Sequence, residues 1–114
     1  MPFYTLNGFV FTLLGIYDWS TIDPEAAGES AATAGRFFDC GLASVLYTLP
    51  YYDVNGMSAY DLGHVLAERP ANVQAEYHAI HIQLLNALYS IEPLPGLAEW
   101  RDAWMADVAP SPVP

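Results

Sequence analysis

Hydrophobic residues recur at helical spacing through most of the chain, and this pattern predicts an all-α fold. The clearest stripe follows Asp23-Pro24-Glu25, which supplies a helix cap, a first-turn proline and a first-turn acid. Its members step by three or four residues: Ala27, Ala31, Ala34, Phe38, Leu42, Val45 and Leu49. We expect one long helix ending at Pro50. Gly41 lowers the helix propensity of this segment, and close packing of another backbone against it would offset that loss. The alternative is that the helix breaks at Gly41.

The first apolar segment suits either a helix or a β-hairpin. Asn7-Gly8 between aromatic and β-branched residues is a strong hairpin signal, because both turn positions favour positive φ. The continuous apolar run from Gly8 to Tyr17 equally suits a buried helix. Because the rest of the chain has helical patterns, we favour the helix and keep a small N-terminal hairpin as the alternative.

The second half of the chain predicts three more helices. Ser58 is expected to cap a short helix from Ala59 to about Glu68, and a helix that is apolar on most sides should follow over about 71–91. A last stripe joins Leu97, Trp100, Trp104 and Val108, with Trp100 expected inside and Trp104 nearer the rim. The fold we expect is a compact bundle of four to five helices over 1–108, followed by a disordered Pro-rich tail at 109–114.

The charge of the chain has one sign. It contains no lysine, and three arginines face 13 carboxylates, which gives a formal net charge of −10. A field of that sign argues against direct binding to nucleic acid or to an anionic membrane and favours a basic protein or nucleoprotein partner. A lone cysteine, Cys40, and the lack of a long apolar run predict a cytoplasmic protein.

Few residues have the spacing of a catalytic or metal site. Asp61 with His64, and His78 with His81, could converge on a metal between helices. We favour the other interpretation, that His78 and His81 are hydrogen-bonded core or interface residues, since both lie opposite the polar strip of their helix. Cys40 is expected to be a buried apolar residue rather than a nucleophile. Phosphate-binding glycine motifs are absent. We therefore predict no metal, no cofactor and no enzymatic activity.

These observations lead to a functional hypothesis based on surface charge. We predict a small acidic protein that binds and inhibits or regulates a basic, nucleic-acid-handling protein. Phage inhibitors of host defence, such as anti-CRISPR proteins, and immunity proteins against nuclease toxins are of this type. The predicted partner-binding residues are Asp18, Trp19, Tyr51, Tyr52, Asp53, Glu99, Asp102 and Trp104. The alternatives are a metal- or ligand-binding bundle that uses Asp61, His64, His78 and His81, and a subunit of a homo-oligomer.

Overall fold

A computed structural model describes residues 4–22 and 24–108 of the chain and shows a helical bundle with one small hairpin. Four long helices form the bundle: α1 (Leu6–Ser20), α3 (Glu29–Tyr52), α5 (Ala75–Ile91) and α6 (Pro95–Val108). Two single turns are α2 (Pro24–Ala27) and α4 (Gly63–Leu66). The antiparallel hairpin consists of β1 (Asp53–Val54) and β2 (Met57–Ser58). The predicted all-α bundle is confirmed as a mostly helical fold with this one small sheet in the described residues.

The N-terminal segment forms a helix, which is the favoured one of the two predicted alternatives. Asn7-Gly8 lies in the first turn of α1, where the amide of Phe9 donates to the carbonyl of Thr5. The hairpin forms instead at Asn55-Gly56, whose φ angles of 53° and 92° are both in the left-handed region that a two-residue hairpin turn requires. The turn pairs Asp53 with Ser58 across the two strands.

The single long helix expected after residue 23 is divided in two. Gly28, with φ of 58°, separates α2 from α3, and α3 then continues through Gly41 to Tyr52. A Cβ at Gly41 would collide with the side chain of Leu13, so the glycine allows α1 and α3 to pack closely. The expected close approach is therefore made by a side chain and not by a backbone. The predicted cap, Asp23, lies outside the described residues.

The segment between the hairpin and α5 is largely extended. The amide of Ala59 donates to the carbonyl of Tyr52 at 2.7 Å, and that of Tyr60 donates to Asn72 at 2.7 Å. These bonds keep residues 59–60 out of a helix. The helix expected from Ala59 to about Glu68 is therefore limited to the single turn of α4. Ser58 is buried in β2 and caps no helix.

The core lies between the four long helices, with α1 packed on α3 and α5, and α5 packed on α6. Trp104 is completely buried, whereas Trp100 is half-buried at the edge of the core. This order is the reverse of our expectation, because α6 turns the 104 position towards the hairpin. No described helix has the length and apolar character to span a bilayer. The predicted tail at 109–114 lies outside the described residues.

Candidate functional site

Polar side chains are buried in one region of the described part of the chain. Ser58, Asp61, His78 and His81 belong to the hairpin, to the extended segment after it and to the first half of α5. A buried polar group must find a hydrogen-bond partner or lower stability, so such a cluster in an otherwise apolar core needs a structural explanation. We take this region as the candidate functional site.

Ser58 connects the hairpin to two histidines of α5. Its backbone amide donates to Nδ1 of His78 at 2.8 Å, and its hydroxyl lies 2.8 Å from the same nitrogen. The hydroxyl also lies 2.7 Å from Nδ1 of His81. Because His78 and His81 are separated by nearly one helical turn, one hydroxyl can bridge both imidazoles.

The two histidines differ in how completely they are satisfied. His78 accepts a hydrogen bond at Nδ1, so its own proton is on Nε2, which donates to the backbone carbonyl of Trp104 at 3.0 Å. Nε2 of His81 has no hydrogen-bond partner among the described residues. Burial, together with the neighbouring His78, lowers the pKa of His81 to about 4. His81 is therefore neutral at pH 7.

Helix α6 closes the site through Trp104. The indole Nε1 of Trp104 donates to Oδ1 of Asp53 at 3.0 Å, and the amide of Gly56 donates to the same oxygen at 3.2 Å. The carboxylate of Asp53 thus fixes the hairpin turn and also attaches it to α6. Together with the contacts of Ser58, these bonds hold the hairpin between α5 and α6.

Two tyrosines lie beside the buried cluster and are partly exposed. Tyr60 is two residues after Ser58, Tyr77 is next to His78, and their ring centroids are 4.5 Å apart with the planes tilted by 55°. The backbone of Tyr60 is held on both sides, because its amide donates to Asn72 and its carbonyl accepts from the amide of Leu6 at 3.0 Å. The pair therefore presents two phenols from a fixed backbone.

A cation is bound to Asp61, the residue that directly follows Tyr60 in the chain. The guanidinium of Arg69 donates to Oδ2 of Asp61 at 2.9 Å, and the amide of Gly63 donates to Oδ1 of Asp61 at 2.9 Å. A Cβ at Gly63 would collide with this guanidinium, so the glycine makes room for it. Asp61 is buried, whereas the side chain of Arg69 is 42% exposed and can reach solvent.

The structure places the predicted partner-binding residues in three environments: buried, half-buried and exposed. Tyr52 and Trp104 lie in the core and present no surface to a partner. Burial and the nearby Asp61 raise the pKa of Tyr52 to about 12, and its hydroxyl donates to the carbonyl of Tyr4 at 2.6 Å. Asp53 is half-buried in the hairpin. The remaining five are exposed: Asp18, Trp19, Tyr51, Glu99 and Asp102.

The predicted metal alternative does not form a converging set. Asp61 is paired with Arg69, His64 contacts the carbonyl of Tyr51 at 3.1 Å, and both helix α5 histidines face Ser58. Within the described residues, no group of three or more potential metal-binding side chains gathers at one point. Cys40 is exposed, contrary to our expectation of a buried residue.

Sequence reasoning identified part of this site and missed the rest. The histidines on the apolar side of α5 were correctly interpreted as hydrogen-bonded core residues. Their partner Ser58 was mistaken for a helix cap, and Tyr60, Tyr77 and Arg69 were not singled out. A usable signal was present: two buried histidines require partners, and each missed tyrosine is adjacent to a buried polar residue, Asp61 or His78.

Comparison with known proteins gives two consistent matches. The family described as "D-glucuronyl C5-epimerase C-terminus" matches residues 1–106. A protein named D-glucuronyl C5-epimerase from Caenorhabditis elegans is 32% identical over an alignment of 109 residues, and the match covers 90% of this chain. The chain spans only 18% of the length of that relative.

These matches correct the functional hypothesis drawn from charge. A non-enzymatic inhibitor, an anti-CRISPR-like protein and an immunity protein are all wrong, because the matched family consists of the C-terminal part of an enzyme. The prediction that the protein is not an enzyme is wrong for the same reason. Net charge describes solubility and association, and it carries no information on catalysis. The match covers almost the whole chain, and this protein belongs to the D-glucuronyl C5-epimerase C-terminus family.

Proposed function

We propose that this chain forms the C-terminal part of a C5-epimerase that acts on D-glucuronyl residues, with Tyr60 and Tyr77 at the reaction centre. The observation that carries the proposal is the family match over residues 1–106. The relative from Caenorhabditis elegans is named for this activity, which supports the same substrate class. Tyr60 and Tyr77 lie within the matched range and are partly exposed beside the buried polar cluster.

The chemistry of the reaction defines what the site must supply. Inversion at C5 removes a proton from the carbon that bears the carboxylate and returns a proton to the opposite face. No bond other than C5–H is broken overall, and no electrons are gained or lost. The site therefore needs a group that accepts and donates protons on each face, together with a positive charge near the carboxylate.

Tyr60 and Tyr77 suit the role of proton exchange at one face. A phenol can donate a proton and a phenolate can accept one, and tyrosine is among the side chains that act as general acids and bases. Their centroids are 4.5 Å apart, too close for a sugar ring to fit between them, so both phenols approach the substrate from one side.

Arg69 suits the role of the cation. Removal of the C5 proton places negative charge on the carboxylate, which a guanidinium stabilises. Arg69 donates to Oδ2 of Asp61, and its side chain is 42% exposed, so a uronate carboxylate can approach the guanidinium from solvent. The charge matters because only three arginines and no lysine offset the 13 carboxylates of the chain.

The test is an activity assay on the protein as its gene encodes it. The purified protein is incubated with a polysaccharide containing D-glucuronyl residues, and L-iduronyl residues are detected by NMR. We expect conversion by the wild-type protein and a fall in kcat of about 100-fold to 10,000-fold in Tyr77→Phe, the range for loss of a general acid or base.

Tyr47 and Tyr51 provide a matched control. Their rings also form a pair, with centroids 6.3 Å apart, but both side chains are exposed on α3. Tyr47→Phe removes a phenol that the proposal does not use, so its kcat should equal that of the wild type. Absence of conversion by the wild-type protein, or full activity in Tyr77→Phe, contradicts the proposal.

A further inference from the structure

We infer that Ser58 and His81 are positioning residues that hold Tyr60, on the hairpin side, against Tyr77 on α5. The catalytic meaning of this inference rests on the proposed function, whereas its geometric content does not. Ser58 and His81 are too deeply buried to contact a substrate. They would act through the relative placement of the two phenols.

The hydrogen-bonded residues Ser58 and His78 are close in the chain to the two tyrosines. Ser58 is two residues before Tyr60, and His78 directly follows Tyr77. The contacts between Ser58 and the Nδ1 atoms of His78 and His81, at 2.7–2.8 Å, fix the end of β2 relative to α5. Within the described residues, Ser58 makes all the hydrogen bonds from the hairpin to α5.

The other bonds that hold Tyr60 do not replace this link. The amide of Tyr60 donates to Asn72, and its carbonyl accepts from Leu6. Those bonds fix the backbone of Tyr60 relative to α1 and to the extended segment before α5. Loss of the Ser58 hydroxyl would therefore leave Tyr60 attached to the fold, and only the amide of residue 58 on Nδ1 of His78 would then fix its register against Tyr77.

His78 transmits the same constraint to α6. Its Nε2 donates to the carbonyl of Trp104 at 3.0 Å, so the ring has one orientation and one tautomer. Because both nitrogens of His78 are hydrogen-bonded, its ring has a fixed position, and the hydroxyl of Ser58 is held against Nδ1 of that ring. The three elements that carry the site are thereby joined through one side chain.

Burial of His81 lowers the stability of the fold, because one of its ring nitrogens has no hydrogen-bond partner among the described residues. Its Nε2 has no partner among the described residues, although the side chain is 1% exposed. An apolar side chain of similar size would avoid the cost of an unsatisfied buried nitrogen. The favourable contribution of His81 is the bond from Nδ1 to the Ser58 hydroxyl, and that bond fixes position.

The geometric test uses NMR of the full-length protein with ¹³C-labelled tyrosine. The reference is Tyr77→Leu, which defines the ring signals of Tyr60 without the neighbouring ring. We expect Ser58→Ala and His81→Leu to move the Tyr60 signals towards this reference. His81→Asn keeps a polar atom at the Nδ1 position, so it should retain the wild-type signals. Unchanged Tyr60 signals in the folded Ser58→Ala and His81→Leu proteins overturn the inference. If Ser58→Ala does not fold, the two His81 variants decide.

The kinetic test separates positioning from general stability. Ser58→Ala and His81→Leu should lower kcat on the glucuronyl polysaccharide by about 10-fold to 100-fold with KM unchanged, and His81→Asn should restore kcat. Leu13→Ala, a buried change on α1, is the control that lowers stability without changing kcat. Displaced Tyr60 signals with normal kcat overturn the positioning role. If the variants displace the Tyr60 signals but the wild-type protein converts no glucuronyl residues, the geometric inference is supported and the proposed function is contradicted.

Discussion

The hydroxyl of Ser58 and Nδ1 of His81 lie 2.7 Å apart, both side chains are buried, and their contact joins the hairpin to α5. His81 is neutral there, because burial and the neighbouring His78 lower its pKa to about 4. Burial of a titratable group with a lowered pKa links the stability of the fold to pH.

The first prediction concerns this pH dependence. In the unfolded chain His81 has its ordinary pKa of about 6.5, so the unfolded state binds the additional proton between that pH and about 4. The contribution of His81 to the free energy of unfolding should be constant above about pH 6.5 and fall by about 3 kcal/mol as the pH drops to about 4. Urea denaturation at a series of pH values measures it.

His81→Leu is the control for that experiment, since acidification also reduces the repulsion among the carboxylates. The difference in unfolding free energy between the wild-type and variant proteins isolates the histidine. A difference that does not change between pH 6.5 and 4 contradicts the prediction.

The second prediction concerns the two tryptophans of α6. Trp104 is completely buried and Trp100 is half-buried, so Trp104→Ala should lower the free energy of unfolding by about 3–5 kcal/mol and Trp100→Ala by clearly less. Trp104→Phe keeps most of the volume but removes the bond to Asp53, and it should cost about 1 kcal/mol or more. Chemical denaturation measures all three. A larger loss in Trp100→Ala than in Trp104→Ala contradicts the structure.

The third prediction concerns Gly63 and the ion pair beside it. A Cβ at residue 63 would displace the guanidinium of Arg69 and leave the buried carboxylate of Asp61 without its cation. Gly63→Ala should therefore lower stability. Gly15→Ala is the matched control, because a Cβ there meets nothing within 4 Å and a mid-helix alanine is favoured by about 0.5–1 kcal/mol. Thermal denaturation should show a lower melting temperature for Gly63→Ala and a higher one for Gly15→Ala. Equal stabilisation by both substitutions contradicts the prediction.

Much of the helical architecture follows from periodicity, whereas the site does not. The stripes that contain Val45 and Leu85 predict buried helix faces, and both residues are completely buried. The hairpin of β1 and β2 has only two residues in each strand, too few for an alternating pattern to identify it. Ser58 has the sequence context of a helix cap, and only the tertiary contacts with α5 reveal its different role.

The tyrosine pair illustrates why function was missed. Tyr60 and Tyr77 are 17 positions apart, and no local pattern indicates that their rings are neighbours. Charge supported the wrong hypothesis, because it reflects the average surface while catalysis depends on a few placed groups.

Exchange of the C5 hydrogen with solvent tests the central claim, that Tyr60 and Tyr77 act together on one face of a glucuronyl residue. The protein is incubated with a glucuronyl polysaccharide in D₂O, and deuterium at C5 is measured by NMR. We expect rapid incorporation by the wild type and a loss of about 100-fold or more in Tyr60→Phe and in Tyr77→Phe. The double variant should lose no more than the slower single variant, as groups that act as a unit do. Wild-type exchange rates in Tyr77→Phe would contradict the account.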